Sequence, residues 1–149
     1  SDTLFVQDNQ SFSKKGTLRG LHYQLDPMAQ GKLVRVTKGE VFDVIVDIRK
    51  NSKTFFSWTS LLLSCKEKNQ VWIPKGFAHG FLTLSEEAIL EYKVTNFWNK
   101  DLERTILWND SQISIQWPIM NSNFLEPNIS LKDRNGLTLK SLTKKGEVF

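Results

Sequence analysis

The sequence predicts an all-β protein, built either as a sandwich or as a small barrel. Eight short segments are rich in Val, Ile, Phe, Trp, Thr and Leu, which are the residues that β-strands favour. Turn signals separate these segments at the short spacing that is typical of sandwiches and barrels. With 149 residues, the chain has the size of one domain with its own hydrophobic core.

The predicted strands follow one another up to residue 95. They span residues 4–7, 17–24, 32–37, 40–49, 55–63, 71–74, 76–84 and 88–95. Lys38-Gly39 separates the third strand from the fourth and indicates a tight hairpin. The chain after Trp117-Pro118 is less regular, and a short helix is predicted within residues 131–142. No repeat, low-complexity stretch or linker divides the sequence, so we expect a single domain over residues 1–149.

The fourth strand carries two carboxylates among aliphatic residues. Strand alternation places Asp43 and Asp47 on one face with Val41, while Phe42 and Val44 point to the other face. Such a face is either exposed to solvent or the polar floor of a pocket inside a barrel. The pattern by itself favours exposure to solvent.

Charge and composition exclude several classes of protein. The net charge is +4, but residues 132–149 hold five basic and two acidic residues and so account for +3 of it. We therefore expect no nucleic-acid partner.

No apolar run approaches the ~20 residues of a membrane span, and no secretory signal is visible, so we expect a cytoplasmic protein without a membrane partner. Cys65 is the single cysteine and is expected in the core. Two histidines and one cysteine exclude a multi-Cys/His zinc site.

Two histidines lie in glycine-rich, aromatic strand sequence. His22 lies two residues after Gly20, and His79 directly precedes Gly80. A single histidine in such a strand is more often structural. Two of them beside glycines, which let a ligand approach closely, also fit proton transfer near neutral pH.

Basic side chains on the second and third strands form another candidate group. Arg19, Lys32 and Arg35 are either surface cations or contacts for phosphate oxygens. Lys32 and Arg35 have opposite parity, so at most one of them points inward from a regular strand.

Seven segments resemble, in order, the dTDP-4-dehydrorhamnose 3,5-epimerase family. They are residues 5–9 (FVQDN), 16–24 (GTLRGLHYQ), 30–36 (QGKLVRV), 39–44 (GEVFDV), 72–81 (WIPKGFAHGF), 91–95 (EYKVT) and 106–110 (ILWND). The resemblance implies a cupin-like β-barrel, or jelly roll, in a homodimer without metal or other cofactor. It also implies a dTDP-linked 4-keto-6-deoxyhexose as substrate, with inversion at C3 and C5 to give the L-rhamnose precursor.

The resemblance assigns four catalytic residues. It implies that His22 is the base and that Asp133 orients it, because a carboxylate fixes the tautomer and raises the basicity of an imidazole. Lys32 resembles the cation that stabilises the enolate, and Tyr92 resembles the acid that reprotonates from the opposite face. The spacing before Asp133 varies within the family, so Asp110 is the alternative partner of His22.

The resemblance also assigns substrate contacts. Arg19 matches the diphosphate contact, while Gln7 and Asn9 match further substrate contacts. Asp43 and His79 match pocket positions that support Lys32 and the C4 oxygen. The resemblance thus moves Asp43 from the solvent face to the pocket.

Arg19 and His22 are three residues apart, which on a regular strand places them on opposite faces. A bulge at Gly20 would re-aim one of them, or Arg19 would lie at the rim of the barrel. We expect a combination of the two.

Two departures from the family are evident. The family's segment before Phe5, which helps to bind the diphosphate and to form the dimer, is absent from this sequence. Phe97-Trp98 stands where the family often has Tyr-Tyr, so these rings can stack but donate no phenolic proton.

Three other functions remain as alternatives. One is a sister enzyme that epimerises a single carbon, and the orientation of Tyr92 would decide between the two. Another is a cupin that only binds a sugar nucleotide, although such a protein would not need a base, a cation and an acid together. A metal-dependent cupin oxygenase fits poorly, since His22 and His79 are the only histidines.

Overall fold

The computed structural model describes residues 3–119 and 126–149. Its elements are β1 (Gln7–Lys14), β2 (Thr17–Gln24), β3 (Lys32–Lys38), β4 (Glu40–Asp47), β5 (Trp58–Ser64), β6 (Gln70–Ile73), β7 (Phe77–Thr83), β8 (Glu87–Val94), β9 (Glu103–Thr105), β10 (Asn128–Ile129), α1 (Leu131–Arg134) and α2 (Leu139–Lys144). The prediction of an all-β fold with a short helical C-terminal segment is confirmed. Within the described ranges, no helix is long and apolar enough to cross a membrane.

The strands form two sheets. The smaller sheet has the order β1-β8-β3-β6, and the larger has the order β10-β2-β7-β4-β5, with β9 also paired to β2. Apart from β10, which runs parallel to β2, the paired strands are antiparallel.

Each face of the larger sheet is covered by a hydrophobic cluster. One cluster joins the two sheets and contains Val34 of β3, Val41 of β4 and Leu90 of β8. The other lies on the opposite face, where the fully buried Leu139 and Leu142 of α2 pack against β2, β4 and β7. Burial on both sides explains why β4 has nearly continuous hydrophobic sequence.

The structure corrects three local predictions. The first strand begins at Gln7 and runs to Lys14, so residues 4–6 precede it. Lys38-Gly39 is not a hairpin, because β3 and β4 belong to different sheets and this turn carries the chain between them. Gly39 is required there: its φ is +75°, and an added Cβ would lie 2.1 Å from the carbonyl oxygen of Glu87. Cys65 is half-buried rather than in the core.

The two carboxylates of β4 are both buried, so the solvent-facing interpretation of this strand is wrong. Asp47 accepts hydrogen bonds from Arg49, Ser52 and Thr54 at the end of the strand. Burial raises the pKa of Asp47, but these hydrogen bonds outweigh it and hold the pKa well below its usual range. Asp43 instead points towards the space between the sheets.

Candidate active site

A cavity of about 380 Å³ opens between the two sheets. The predicted residues Gln7, Asn9, Arg19, His22, Lys32, His79 and Tyr92 all line it, together with Ser11, Gly80, Phe81, Leu90, Trp98 and Glu103. The two remaining predicted residues, Asp43 and Asp133, are buried directly behind the histidines. The structure therefore brings the predicted set together at one place.

His22 of β2 is held by Asp133 of α1. The Nε2 atom of His22 lies 2.6 Å from Oδ1 of Asp133, and the backbone N–H of Gly20 donates to Oδ2 at 3.0 Å. Burial by itself raises the pKa of Asp133. The hydrogen bond from His22, the charge of His22 and the hydrogen bond from the Gly20 N–H outweigh burial, so the pKa of Asp133 is lowered. Nε2 is thus the ring nitrogen that faces the carboxylate, and the His22 side chain lines the cavity.

Asp110 does not contact His22, so the alternative partner is wrong. Its carboxylate accepts hydrogen bonds from the backbone N–H groups of Gln112, Ile113 and Leu139. Asp110 thus ties the start of α2 to the loop that follows β9.

An irregularity at Gly20 brings Arg19 and His22 to the same cavity. The pairing of β2 with β7 shifts register between Arg19 and His22, as the bulge hypothesis expected. Gly20 has φ +119°, and an added Cβ would lie 2.6 Å from the Cα of Gly80, so only glycine fits. Arg19 is exposed at the rim, where it donates to the Ser13 hydroxyl and the Phe12 carbonyl.

His79 of β7 has its own carboxylate. Its Nε2 lies 2.7 Å from Oδ2 of the fully buried Asp43, while Oδ1 of Asp43 has no hydrogen-bond partner among the described residues. His22 and His79 are direct cross-strand neighbours. The larger sheet therefore presents two imidazoles side by side, each supported by a buried carboxylate from a different element.

Lys32 enters the cavity from β3 in the smaller sheet. It is buried, and this burial lowers its pKa to about 8, against the opposing attraction of Glu103 and Asp43. Arg35, three residues along, is exposed and pairs with Glu91 on the outer face, as strand parity predicts.

Tyr92 of β8 lies on the same sheet as Lys32 and across the cavity from the sheet that carries His22. Burial raises the pKa of Tyr92, and the negative charge of Glu103 raises it further, so the phenol stays protonated at neutral pH. In the neighbouring β1, Asn9 pairs with Tyr92 in register, and Gln7 donates to the Asn9 side chain at 2.7 Å.

Sequence reasoning did not identify Glu103 as a site residue. This carboxylate lies on β9, a strand of only three residues, and it pairs with Lys132 at 2.6 Å. Strand patterning cannot detect so short a segment. Trp98 was identified only as a ring available for stacking. Trp98 and Phe97 are both exposed, and of the two only Trp98 lines the cavity.

A second hollow of about 390 Å³ lies on the outer face of the smaller sheet. Its charged residues are already paired, Lys93 with Asp8 and Arg35 with Glu91. It lacks the histidines and buried carboxylates of the first cavity. Among the described residues, no group of three or more His, Cys, Asp or Glu side chains could hold a metal ion.

Comparisons with known proteins agree on one family. The family model for dTDP-4-dehydrorhamnose 3,5-epimerase matches residues 1–141. A relative of that name from Shigella flexneri is 60% identical over 132 residues, which are 89% of this chain and 70% of that protein.

Solved structures give the same answer. The 3,5-epimerase of Legionella pneumophila, in complex with dTDP-4-keto-L-rhamnose, matches with a TM-score of 0.91 at 46% identity over 99% of this chain and 76% of its own. A 3'-monoepimerase from Streptomyces bikiniensis, in complex with dTDP-quinovose, matches with a TM-score of 0.90 at 30% identity over 99% of this chain and 72% of its own. These neighbours confirm the cupin-like jelly roll. The chain belongs to the dTDP-4-dehydrorhamnose 3,5-epimerase family.

Proposed function

We propose that this protein inverts C3 and C5 of dTDP-4-dehydro-6-deoxyglucose and yields dTDP-4-dehydro-L-rhamnose without a cofactor. One observation carries the proposal: a carboxylate-supported histidine on one sheet faces a cavity whose other sheet supplies a buried lysine and a half-buried tyrosine. Inversion at carbon needs a base on one side of the sugar and an acid on the other, and the two sheets supply them.

The reaction proceeds through enolates, since C3 and C5 are both α to the C4 carbonyl. Nδ1 of His22 removes the proton, and Asp133 stabilises the imidazolium that forms. Lys32 stabilises the negative charge that develops on the C4 oxygen, which is typically worth about 10²–10³ in rate for a well-placed donor. His79, held by Asp43, supports the same oxygen. Tyr92 returns a proton from the opposite face.

The remaining predicted residues bind the substrate. Arg19 receives the diphosphate at the rim, where its guanidinium is exposed and its orientation is held by the Ser13 hydroxyl. Gln7 and Asn9 contact the sugar from β1. The complexes of related epimerases with dTDP-linked sugars support a thymidine nucleotide.

Epimerisation at C3 alone is the second candidate, because the fold of the 3'-monoepimerase is also closely similar. We further propose that the protein acts in the cytoplasm as a single-domain homodimer, as the family resemblance implies. Sedimentation equilibrium measures the homodimer directly, and a monomer at micromolar concentration would contradict it.

Proton exchange in deuterated water tests the proposed reaction. The protein is incubated with dTDP-4-dehydro-6-deoxyglucose and with the reductase that traps the product, and deuterium is located by NMR. Deuterium at C3 and C5 with trapped dTDP-L-rhamnose is the expected result. Deuterium at C3 alone would identify the one-carbon enzyme, and folded protein without exchange would identify a binding module.

A further inference from the structure

The loop between β8 and β9 brings an exposed aromatic ring to the cavity. The side chains of Phe97 and Trp98 are 58% and 54% exposed, and Trp98 nevertheless lines the cavity wall. A ring with so much solvent around it is not fixed by burial alone. The place of the Trp98 indole therefore depends on how firmly the backbone of this loop is held.

Gln24 of β2 holds that backbone. Its Nε2 donates to the carbonyl oxygens of Met28 and Phe97, at 2.7 and 3.1 Å, and its Oε1 accepts from the Asn99 N–H at 2.7 Å. The Gln24 side chain is buried. Because the three partners are backbone groups of fixed polarity, they determine which way the amide points. One buried amide thus joins the end of β2, the β2–β3 loop and the β8–β9 loop.

Gln7 of β1 holds the same segment. Its Oε1 accepts from the Trp98 N–H at 3.1 Å, and its Nε2 donates to Asn9. The carbonyl of Phe97 and the N–H groups of the two residues that follow it are therefore bound by two glutamine side chains. These two side chains, Gln7 and Gln24, form a glutamine clamp on residues 97–99.

The clamped segment also returns to the strand that holds it. Oδ1 of Asn99 accepts from the N–H groups of Asp101 and Leu102, and the Asn99 carbonyl accepts from the N–H of Glu103. Glu103 begins β9 and pairs in register with Gln24. Both ends of the segment 99–103 are thus anchored on one residue of β2.

We propose that Gln24 is a positioning residue that fixes the Trp98 indole as a preorganised wall of the cavity for the sugar nucleotide. The inference rests on the proposed function for the identity of this ligand. A ring that is already held in place does not have to be ordered when the ligand binds, and this saves affinity. A glutamine suits the position because its two donors and one acceptor match the three backbone groups without burying a charge.

The first test observes Trp98 without any ligand. The protein is labelled with 5-fluorotryptophan, and the ¹⁹F resonance of Trp98 is assigned through Trp98→Phe. In Gln24→Met, which removes all three hydrogen bonds, this resonance should narrow and move towards that of the free amino acid. A Trp98 resonance that is unchanged in Gln24→Met would overturn the proposal.

The second test measures binding of dTDP-glucose by calorimetry. This probe has a base, a diphosphate and a hexose, but no C4 carbonyl, so its binding is separate from enolate chemistry. Gln24→Met should raise its Kd by about 3- to 10-fold, the effect of leaving one side chain to be ordered on binding. In a Trp98→Ala background the same substitution should change Kd by less than about 2-fold. Equal effects in the two backgrounds would show that Gln24 does not act through Trp98.

Gln30→Met is the matched control. Gln30 also joins the β2–β3 loop to the β8–β9 loop, through a hydrogen bond from its Nε2 to the Asn96 carbonyl at 2.8 Å, but it does not contact residues 97–99. This variant should leave the Trp98 resonance and the Kd unchanged. The same effects in Gln30→Met as in Gln24→Met would reduce the clamp to a general tether between loops and overturn the proposal.

Hydrogen exchange in the parent protein decides the matter if Gln24→Met does not fold. The N–H groups of Trp98 and Asn99 should exchange at least ~10²-fold more slowly than that of Lys100, which has no hydrogen-bond partner among the described residues. Equally fast exchange of the three would refute the clamp. Absence of turnover by the parent protein would refute the proposed function alone, because the resonance, the exchange rates and the binding of dTDP-glucose do not require it.

Discussion

Replacing Lys32 by methionine should stabilise the protein while it abolishes most of its activity. The buried Lys32 has a pKa of about 8 instead of the ordinary 10.5. At roughly 1.36 kcal/mol per pKa unit, holding the ammonium group in this site at pH 7 costs about 3 kcal/mol. Methionine keeps much of the aliphatic chain and removes the charge, so we expect the free energy of unfolding to rise by ~1–3 kcal/mol.

The pH dependence of the unfolding free energy provides a second test of this prediction. Between about pH 8 and 10.5 the unfolded chain holds the Lys32 proton and the folded protein has lost it, so the stability of the parent protein rises with pH in this window. The advantage of Lys32→Met should therefore shrink by ~2 kcal/mol between pH 7 and pH 9.5. Urea denaturation at the two pH values measures both quantities.

Lys38→Met is the control for this experiment. Lys38 lies on the same strand and pairs with Glu87 on the surface, where its side chain is 55% exposed. Its replacement should change stability by less than about 1 kcal/mol, without the same dependence on pH. A Lys32→Met variant that is destabilised to the same extent at both pH values would refute the reasoning.

Three further substitutions, the last with a matched control, have expected outcomes. His22→Ala should lower deuterium exchange at the substrate carbons by at least ~10²-fold, and exchange at the parent rate would remove His22 as the base. Tyr92→Phe should impair product formation more than deuterium exchange, and an equal loss of both would contradict its separate role as the acid. Gly20→Ala should cost at least about 2 kcal/mol of unfolding free energy, because the added Cβ would lie 2.6 Å from the backbone of β7. Gly16→Ala, which also has positive φ but open space around it, should cost about 1 kcal/mol in the same denaturation experiment.

The hydrophobic strands were predictable, whereas the polar strand β1, which contributes to the cavity wall, was not. β2 spans the predicted residues 17–24, because its burial requires apolar sequence. β1 contains Asn9 and Ser11, which point into the cavity, and Lys14 at its exposed end. A strand whose inner face lines a polar site resembles a loop in its composition, so hydrophobic patterning misses it.

The same contrast holds for the site. The family resemblance identified His22 and its distant partner Asp133, which no local pattern could join across 111 positions. Glu103 was not predicted because β9 has only three residues, too few to show the alternation of apolar and polar side chains that identifies a strand. The Lys38-Gly39 turn was misread since a turn signal cannot show whether the next strand pairs with the previous one or enters the facing sheet.

The contact between His22 and Asp133 has a consequence for the order in which the enzyme becomes active. Ribosomal synthesis delivers the strands β1 to β10 before α1. Until α1 docks on β2, the imidazole of His22 lacks its carboxylate partner. Under the proposed mechanism, proton abstraction therefore depends on the docking of a helix that lies far from His22 in the sequence.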